Sequence, residues 1–175
     1  TSRFTGAFAR TELDIPLPAV GTGIIIVFLL LWLVPFFDFS FAEALAIIIL
    51  CLFFVAVSAR MVGLIGTTNQ PVSGMTITAL LCLTLMFVAM GHSANTAKMA
   101  SITGGAVICI AISLSGDLSQ DLKTAALIGA TPWKVQLAQV SGTLASAIRS
   151  GFILLILYWA YGFGAPTAQH PNPLE

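Results

Sequence analysis

The chain has 175 residues, of which 58% are hydrophobic and only 8% are charged, and its mean hydropathy is +1.00. Soluble domains carry charge on about a quarter of their residues, so this composition excludes an ordinary soluble domain and indicates a protein embedded in a lipid bilayer. Basic and acidic residues balance at a net charge of zero, which gives no reason to expect binding to nucleic acid.

The first residues are polar, and acidic residues stand directly before the first long apolar stretch. A signal peptide has basic residues before a shorter apolar run, so none is predicted. Because the sequence does not open with Met and ends in a polar, loop-like stretch, we expect it to be one part of a longer protein.

Long stretches without charge separate the few ionisable residues, and each is near or above the length of about 20 apolar residues that a spanning helix needs. They predict an all-α, polytopic transmembrane segment over residues 1–175 with about five membrane-spanning helices. The predicted spans are 17–37, 42–58, 75–90, 99–115 and 135–161. If the N-terminus is cytoplasmic, most basic residues also fall on the cytoplasmic side, with Asp38, Glu43 and Lys98 outside.

Residues that bind metals or protons are few and scattered. Cys51, Cys82 and Cys109 lie in three different apolar segments without the spacing of a metal site, so packing is predicted for them, with no metal and no cofactor. Glu43 is expected to stabilise the start of the second helix electrostatically. His92 lies in the polar loop GHSANTAK and is expected to be solvated, with a place on a proton path as the alternative.

The stretch GLIGTTNQPVSGMT, residues 63–76, is uncharged but forms a poor helix. Pro71 lacks a backbone donor and pushes Gln70 away from helical geometry, and three glycines add backbone freedom. Two interpretations stay open: a plain loop between the second and third spans, or a broken or re-entrant segment that lines a cavity. In the second case the backbone would coordinate a polar ligand together with Asn69, Ser73 and Thr76.

The stretch GDLSQDLKTAALIGATPWK, residues 116–134, places two carboxylates and two lysines among apolar segments. Two carboxylates one helical turn apart repel in a low-dielectric site, so one is expected to hold a proton near neutral pH, as proton coupling requires. Lys123 would oppose this role by pairing with either acid. In a helix, one face would be shared by Asp117, Gln120, Asp121 and Thr124.

The alternative for this stretch is a solvated cytoplasmic loop. In that case Gly116 ends one helix, and Asp117 or Ser119 caps the next. In either case Thr131 and Pro132 predict the start of the last helix.

The last predicted span carries Arg149 in its middle, beside a stripe of small residues that favours close approach of another helix. A charge at this depth is costly and calls for a partner. Arg149 is therefore expected to meet a substrate carboxylate, to snorkel to an interface, or to pair with Asp117, Asp121 or Glu43.

Two stretches, TTNQPVSGMTI and GDLSQDLKTAALIGATPWK, resemble the paired signatures of the oligopeptide transporter family, which includes the yellow stripe-like metal-chelate transporters. The first is similar to the family's NPVSGM-type motif and the second to its GD-x-x-QDLKTGYLxGATP-type motif. Gln70 stands where a second Asn is common, and Ala125-Ala126 replaces a Gly-aromatic pair. Both departures bear on substrate preference.

The resemblance implies secondary active, proton-coupled uptake of short oligopeptides or metal-chelate complexes by a transporter with many helices, whose remaining helices would surround this chain. Alternating access would move helix groups about a central site. Substrate contact is then expected from Asn69, Gln70, Pro71, Ser73, Gly74, Thr76 and Arg149. Proton coupling is expected from Asp117, Gln120, Asp121, Lys123 and Thr124.

Two other classes of membrane protein compete with a transporter. A non-transporting scaffold would be expected to lack a costly mid-helix charge such as Arg149. An intramembrane aspartyl enzyme would place its acids on separate helices, whereas Asp117 and Asp121 lie on one, so neither a catalytic residue nor an enzyme is predicted. The character of the motif residues favours a multi-pass protein of a bacterial inner membrane, with a eukaryotic membrane as the alternative.

Overall fold

The computed structural model describes residues 13–35, 39–66 and 69–162, and over these ranges every long element is an α-helix and no strand occurs. This confirms the predicted all-α polytopic fold. The helices are α1 (Leu17–Leu33), α2 (Phe41–Ile65), α3 (Val72–Ala89), α4 (Ala94–Ile128) and α5 (Pro132–Tyr161). The last four are long and apolar enough to cross a membrane, whereas α1, with 17 residues, is shorter.

Local signals in the sequence set the helix ends. Ser40 and Glu43 form a capping box at the start of α2, in which the Ser40 N–H donates to Glu43 Oε2 over 2.6 Å and the Ser40 side chain accepts from the Glu43 N–H. Gly66, with a φ of 81°, ends the same helix, and Gly129, with a φ of 70°, ends α4. Both glycines adopt a backbone conformation that other residues rarely reach.

Two helices extend further than the charge-free stretches indicated. Helix α2 continues through the exposed Arg60, and α4 runs without interruption over its full 35 residues. The interpretation in which Gly116 ends one helix and Asp117 or Ser119 caps the next is therefore wrong. Good helix formers, mainly Leu, Gln, Lys and Ala, fill much of 118–127 and sustain the helix although the stretch is polar.

Helices α2, α3 and α4 form the core of the described chain, and α4 packs against both of the others. Ile47 of α2 and Leu83 of α3 are fully buried and lie against Gly104 of α4, where an added Cβ would come within 3.0 Å of Ile47 Cδ1. Leu80 of α3 packs still more closely on Gly105. Glycines therefore let the three helices approach one another closely.

Helices α2 and α4 run in the same direction, and α3 runs against them. Ile47 meets Gly104 and, further along both helices, Val55 O accepts a hydrogen bond of 3.1 Å from Ser115 Oγ. The bundle therefore has two ends. The turn end holds the start of α2 and the α3–α4 turn (residues 40–43 and 90–93). The motif end holds the end of α2, the start of α3 and the later part of α4 (residues 62–72 and 116–128).

The outer helices differ in their surroundings. Helix α1 lies against the start of α2, where Phe28 and Trp32 meet Phe41 edge-on at centroid distances of 5.3 and 5.5 Å. The residues from Lys134 onward form a separate unit, to which most of α5 belongs. Helix α5 begins at Pro132, as predicted, and buries none of its residues.

Candidate functional site

The second motif, residues 116–134, occupies the later part of α4 and the start of α5. Because α4 is continuous, Asp117, Gln120, Asp121 and Thr124 share one face of this helix. Thr124 Oγ1 donates to Gln120 O over 3.1 Å, so this hydroxyl is held along the helix and keeps its lone pairs for other donors.

A cavity of about 370 Å³ lies at the motif end between α2 and α4, and we call it the α2–α4 cavity. Its lining consists of Val62, Gly63, Leu64, Gly66, Ser119, Gln120, Lys123 and Thr124. The wall from α4 presents an ammonium group, an amide and two hydroxyls, and the lining contains no carboxylate. Such a set of groups suits a ligand that is anionic or rich in hydrogen-bond acceptors.

The residues predicted to couple protons separate into two groups. Gln120, Lys123 and Thr124 line the α2–α4 cavity, whereas Asp117 and Asp121 are exposed and lie outside its lining. Over the described part of the chain, Lys123 forms an ion pair with neither carboxylate. The pairing that would hold one of these acids ionised is therefore not seen there.

The first motif reaches the second through the side chain of Gln70, next to Asn69 in the short connection between α2 and α3. Gln70 Nε2 donates to Ser58 Oγ and, over 3.2 Å, to Ile112 O. The fully buried Ser58 donates to the same carbonyl over 2.9 Å. Gly116 leaves room for this contact, since a Cβ there would collide with the Gln70 amide. The side chain at which the sequence departs from the NPVSGM-type pattern thus joins the two motifs.

The other residues of the first motif are less enclosed. Thr76 is half-buried and donates its hydroxyl hydrogen to Val72 O over 2.8 Å, and the exposed ones are Asn69, Pro71, Ser73 and Gly74. The interval between α2 and α3 covers only 66–71, of which 67 and 68 lie outside the described residues. The irregular stretch is therefore shorter than the predicted 63–76. It is a short connection between two helices from which Gln70 enters the bundle.

Arg149 lies exposed in the middle of α5, within the unit that starts at Lys134. Its contact with a substrate, or with Asp117 or Asp121, stays a prediction. Glu43, the third partner considered for it, forms an ion pair with His92.

This ion pair at the turn end was missed by the sequence analysis. Glu43 is only 2% exposed, and its Oε1 lies 2.5 Å from His92 Nε2. His92 follows Gly91, whose φ of 86° turns the chain between α3 and α4. The expectation of a simply solvated histidine is wrong, because the imidazole lies against the buried carboxylate. A signal existed: an antiparallel α2–α3 hairpin brings the start of α2 and the end of α3 to the same end.

Elsewhere in the described ranges, no group of three or more His, Cys, Asp or Glu side chains is placed to hold a metal ion. The comparisons with known proteins agree with the two motifs. A family model described as "OPT oligopeptide transporter protein" matches residues 3–175. A protein of Haemophilus influenzae named "Putative oligopeptide transporter" is 35% identical over 121 residues, which are 63% of this chain and 19% of that protein. No solved structure matches.

Proposed function

The chain belongs to the oligopeptide transporter family, and we propose that it forms part of a secondary active transporter for proton-coupled uptake of short oligopeptides. Metal-chelate complexes are the alternative substrate. The chain itself is an integral, multi-pass membrane protein, and its bacterial relative favours a bacterial inner membrane as its location. The family is one of transporters, which points away from an enzyme.

The observation that carries the proposal is the α2–α4 cavity, which forms where the two motifs meet. Its volume of about 370 Å³ falls within the range of ligand sites. A short peptide with a free C-terminus carries a carboxylate, and Lys123, with the amide of Gln120, supplies donors for it. The exposed polar groups of the first motif, on Asn69 and Ser73, are proposed to contact the rest of the substrate, as is Arg149 of α5.

We assign proton coupling to Asp117 and Asp121, which lie one turn apart on the helix that forms the polar wall of the cavity. An ionised carboxylate beside the cavity repels a substrate carboxylate bound at Lys123, and protonation removes that repulsion. Proton binding therefore favours binding of an anionic substrate and, by linkage, the substrate favours binding of the proton. Symport requires this positive coupling, in which the proton and the substrate each favour binding of the other.

In the proposed mechanism, the α2–α3 connection moves when the contacts of Gln70 break. Gln70 of this connection donates to Ser58 Oγ of α2 and to Ile112 O of α4, with one hydrogen bond to each helix. Release of Gln70 from both acceptors would let residues 69–71 move relative to α4 and change access to the cavity.

The test is uptake by the full-length transporter in proteoliposomes, with an imposed pH gradient and a mixed pool of di- to hexapeptides and metal chelates. The variants Asp117→Asn and Asp121→Asn are compared with Asp14→Asn, a control at an exposed aspartate before α1. We expect gradient-driven uptake to fall about tenfold or more in at least one motif variant and to stay near wild type in the control.

The pool also identifies the substrate, since uptake of chelates without peptides would assign the alternative cargo. Uptake that ignores both the gradient and the two motif substitutions would overturn proton coupling by these acids. Of the proposals above, only membership of the transporter family would then remain supported.

A further inference from the structure

The ion pair of Glu43 and His92 lies far from the proposed substrate cavity. Glu43 is in the first turn of α2, and the cavity begins at Val62 near the end of the same helix. At a rise of about 1.5 Å per residue, the two sites are about 30 Å apart, which is about the thickness of the hydrocarbon core. If α2 crosses the bilayer along this length, the pair and the cavity lie near opposite sides of the membrane.

One carboxylate oxygen of Glu43 is hydrogen-bonded, and the other is buried beside His92 without a hydrogen bond. Oε2 accepts the Ser40 N–H over 2.6 Å, and Oε1 lies 2.5 Å from His92 Nε2. The Glu43 side chain is 3% exposed and that of His92 is 30% exposed, so the imidazole stands between the buried acid and solvent. Phe87 packs edge-on against the imidazole at a centroid distance of 6.1 Å and stacks with Phe39 at 6.4 Å, which gives the pair an apolar wall.

Helix capping accounts for the contact of Glu43 Oε2 with Ser40 but not for the contact of Oε1 with His92. A capping box needs one acceptor at the third helical position, and a neutral glutamine serves as well as a glutamate. Burial of a full negative charge is costly unless a partner offsets it. The contact of Oε1 with a histidine, the side chain best suited to exchange protons near neutral pH, is additional to the cap.

Other charged groups are sparse around the pair. Helices α1 and α3 carry no acidic or basic side chain, and Cys82, the titratable residue of α3, is exposed. Lys98, in the early turns of α4, is exposed and forms no ion pair with Glu43 within the described ranges. Asp38 lies outside the described residues. The protonation of His92 is therefore the main charge change available to Glu43 there.

We propose that Glu43 and His92 form a second proton-binding site of the transport cycle, at the opposite side of the membrane from Asp117 and Asp121. One proton from solvent binds the neutral imidazole beside the carboxylate and gives an imidazolium–carboxylate pair. Its release to solvent reverses the step, and no other bond changes. Protonation tightens the link between the start of α2 and the α3–α4 turn, and deprotonation loosens it. This inference rests on the proton coupling proposed above.

The experiment uses the full-length transporter in proteoliposomes and compares Glu43→Gln with His92→Gln. Gln at position 43 keeps the capping acceptor and removes the charge, so a purely structural role predicts wild-type behaviour. Each variant is assayed for gradient-driven accumulation as a function of external pH, for substrate counterflow without a gradient, and for thermal stability.

We expect both variants to lose about tenfold or more of gradient-driven accumulation while counterflow stays within about twofold of wild type. The control Ser40→Ala should lower the melting temperature and leave the pH profile unchanged, because it removes the cap alone. His92→Gln decides the question if Glu43→Gln cannot be purified, since the imidazole is partly exposed.

Wild-type accumulation and an unchanged pH profile in these variants would overturn the inference while leaving proton coupling by the wild-type protein intact. If the wild-type protein itself does not respond to the gradient, proton coupling fails and this inference fails with it. The two failures are therefore distinguishable in one assay.

Discussion

The two ends of the α2–α3–α4 bundle are built from the same helices but differ in what they enclose. At the turn end, α3 and α4 are joined by a tight turn, aromatic rings pack together, and the charge of Glu43 is buried with its partner. At the motif end, α2 and α4 continue past the start of α3 and leave a polar cavity between them. The difference follows from helix length, since α3 has 18 residues against 25 in α2 and 35 in α4.

The largest expected effect tests the motif end directly. Lys123→Gln should raise the KM for peptides with a free C-terminal carboxylate by about tenfold or more, because it removes a charge-assisted hydrogen bond. Peptides with an amidated C-terminus should be nearly unaffected. The measurement is initial uptake rate against peptide concentration, with Lys98→Gln as a control at the other end of α4. An equal effect on both classes of peptide would argue against a carboxylate site at Lys123.

The next prediction tests the close packing that connects the two ends. Gly105→Ala should destabilise the protein by about 1–3 kcal/mol, because its Cβ would overlap Leu80. Gly21→Ala is the matched control, since a Cβ there meets nothing within 4 Å, and it should be neutral or stabilising by up to about 1 kcal/mol. Thermal unfolding of the detergent-solubilised protein measures both. Equal melting temperatures would show that α3 and α4 adjust to the added methyl group.

The Gln70 contact gives a smaller effect that is confined to the motif end. Gln70→Ala removes two hydrogen bonds at a partly buried site, and we expect a loss of about 1–2 kcal/mol in stability. Asn69→Ala, at the exposed neighbouring position, should change stability by less than about 0.5 kcal/mol. Thermal unfolding measures the stability of both variants. A similar loss in both would mean that the connection as a whole, rather than Gln70 in particular, stabilises the protein.

The smallest effect separates the cap from the ion pair at the turn end. Ser40→Ala should cost about 1 kcal/mol of stability by removing the side-chain acceptor for the Glu43 N–H. Glu43→Gln should leave stability nearer to wild type, since it keeps the acceptor for the Ser40 N–H. The reverse order of melting temperatures would mean that the charge of Glu43 contributes more to folding than the cap does.

These comparisons also show what the sequence could and could not predict. Charge-free stretches indicated the region of each of the five helices in the described residues, because hydrocarbon requires continuous apolar helices. The same criterion ended α4 too early, since the carboxylates at Asp117 and Asp121 indicated a break, whereas helical hydrogen bonding depends little on side-chain polarity. The resemblance identified residues 63–76 and 116–134 as the regions of two paired signatures, and the structure places Gln70 of the first against Gly116 of the second.

Long-range contacts were the part that the sequence left undetermined. Glu43 and His92 were each interpreted from their local surroundings, as a helix-end charge and a solvated loop residue. Only the antiparallel packing of α2 and α3 brings them within 2.5 Å. Asp117, Asp121 and Arg149 are exposed, so packing assigns them no role and their roles stay predictions.

The unbroken course of α4 has a mechanical consequence. At Gly104 and Gly105, α4 packs closely against α2 and α3, and this contact can act as a pivot. Lys123 lies about 27 Å further along the same continuous helix. If α4 tilted by only about 5° about that pivot, the helical turn that carries Lys123 would move by about 2 Å, enough to break a hydrogen bond there. A small rotation in the half of α4 that packs against α2 and α3 would thereby open or close the cavity without unfolding any part of the helix.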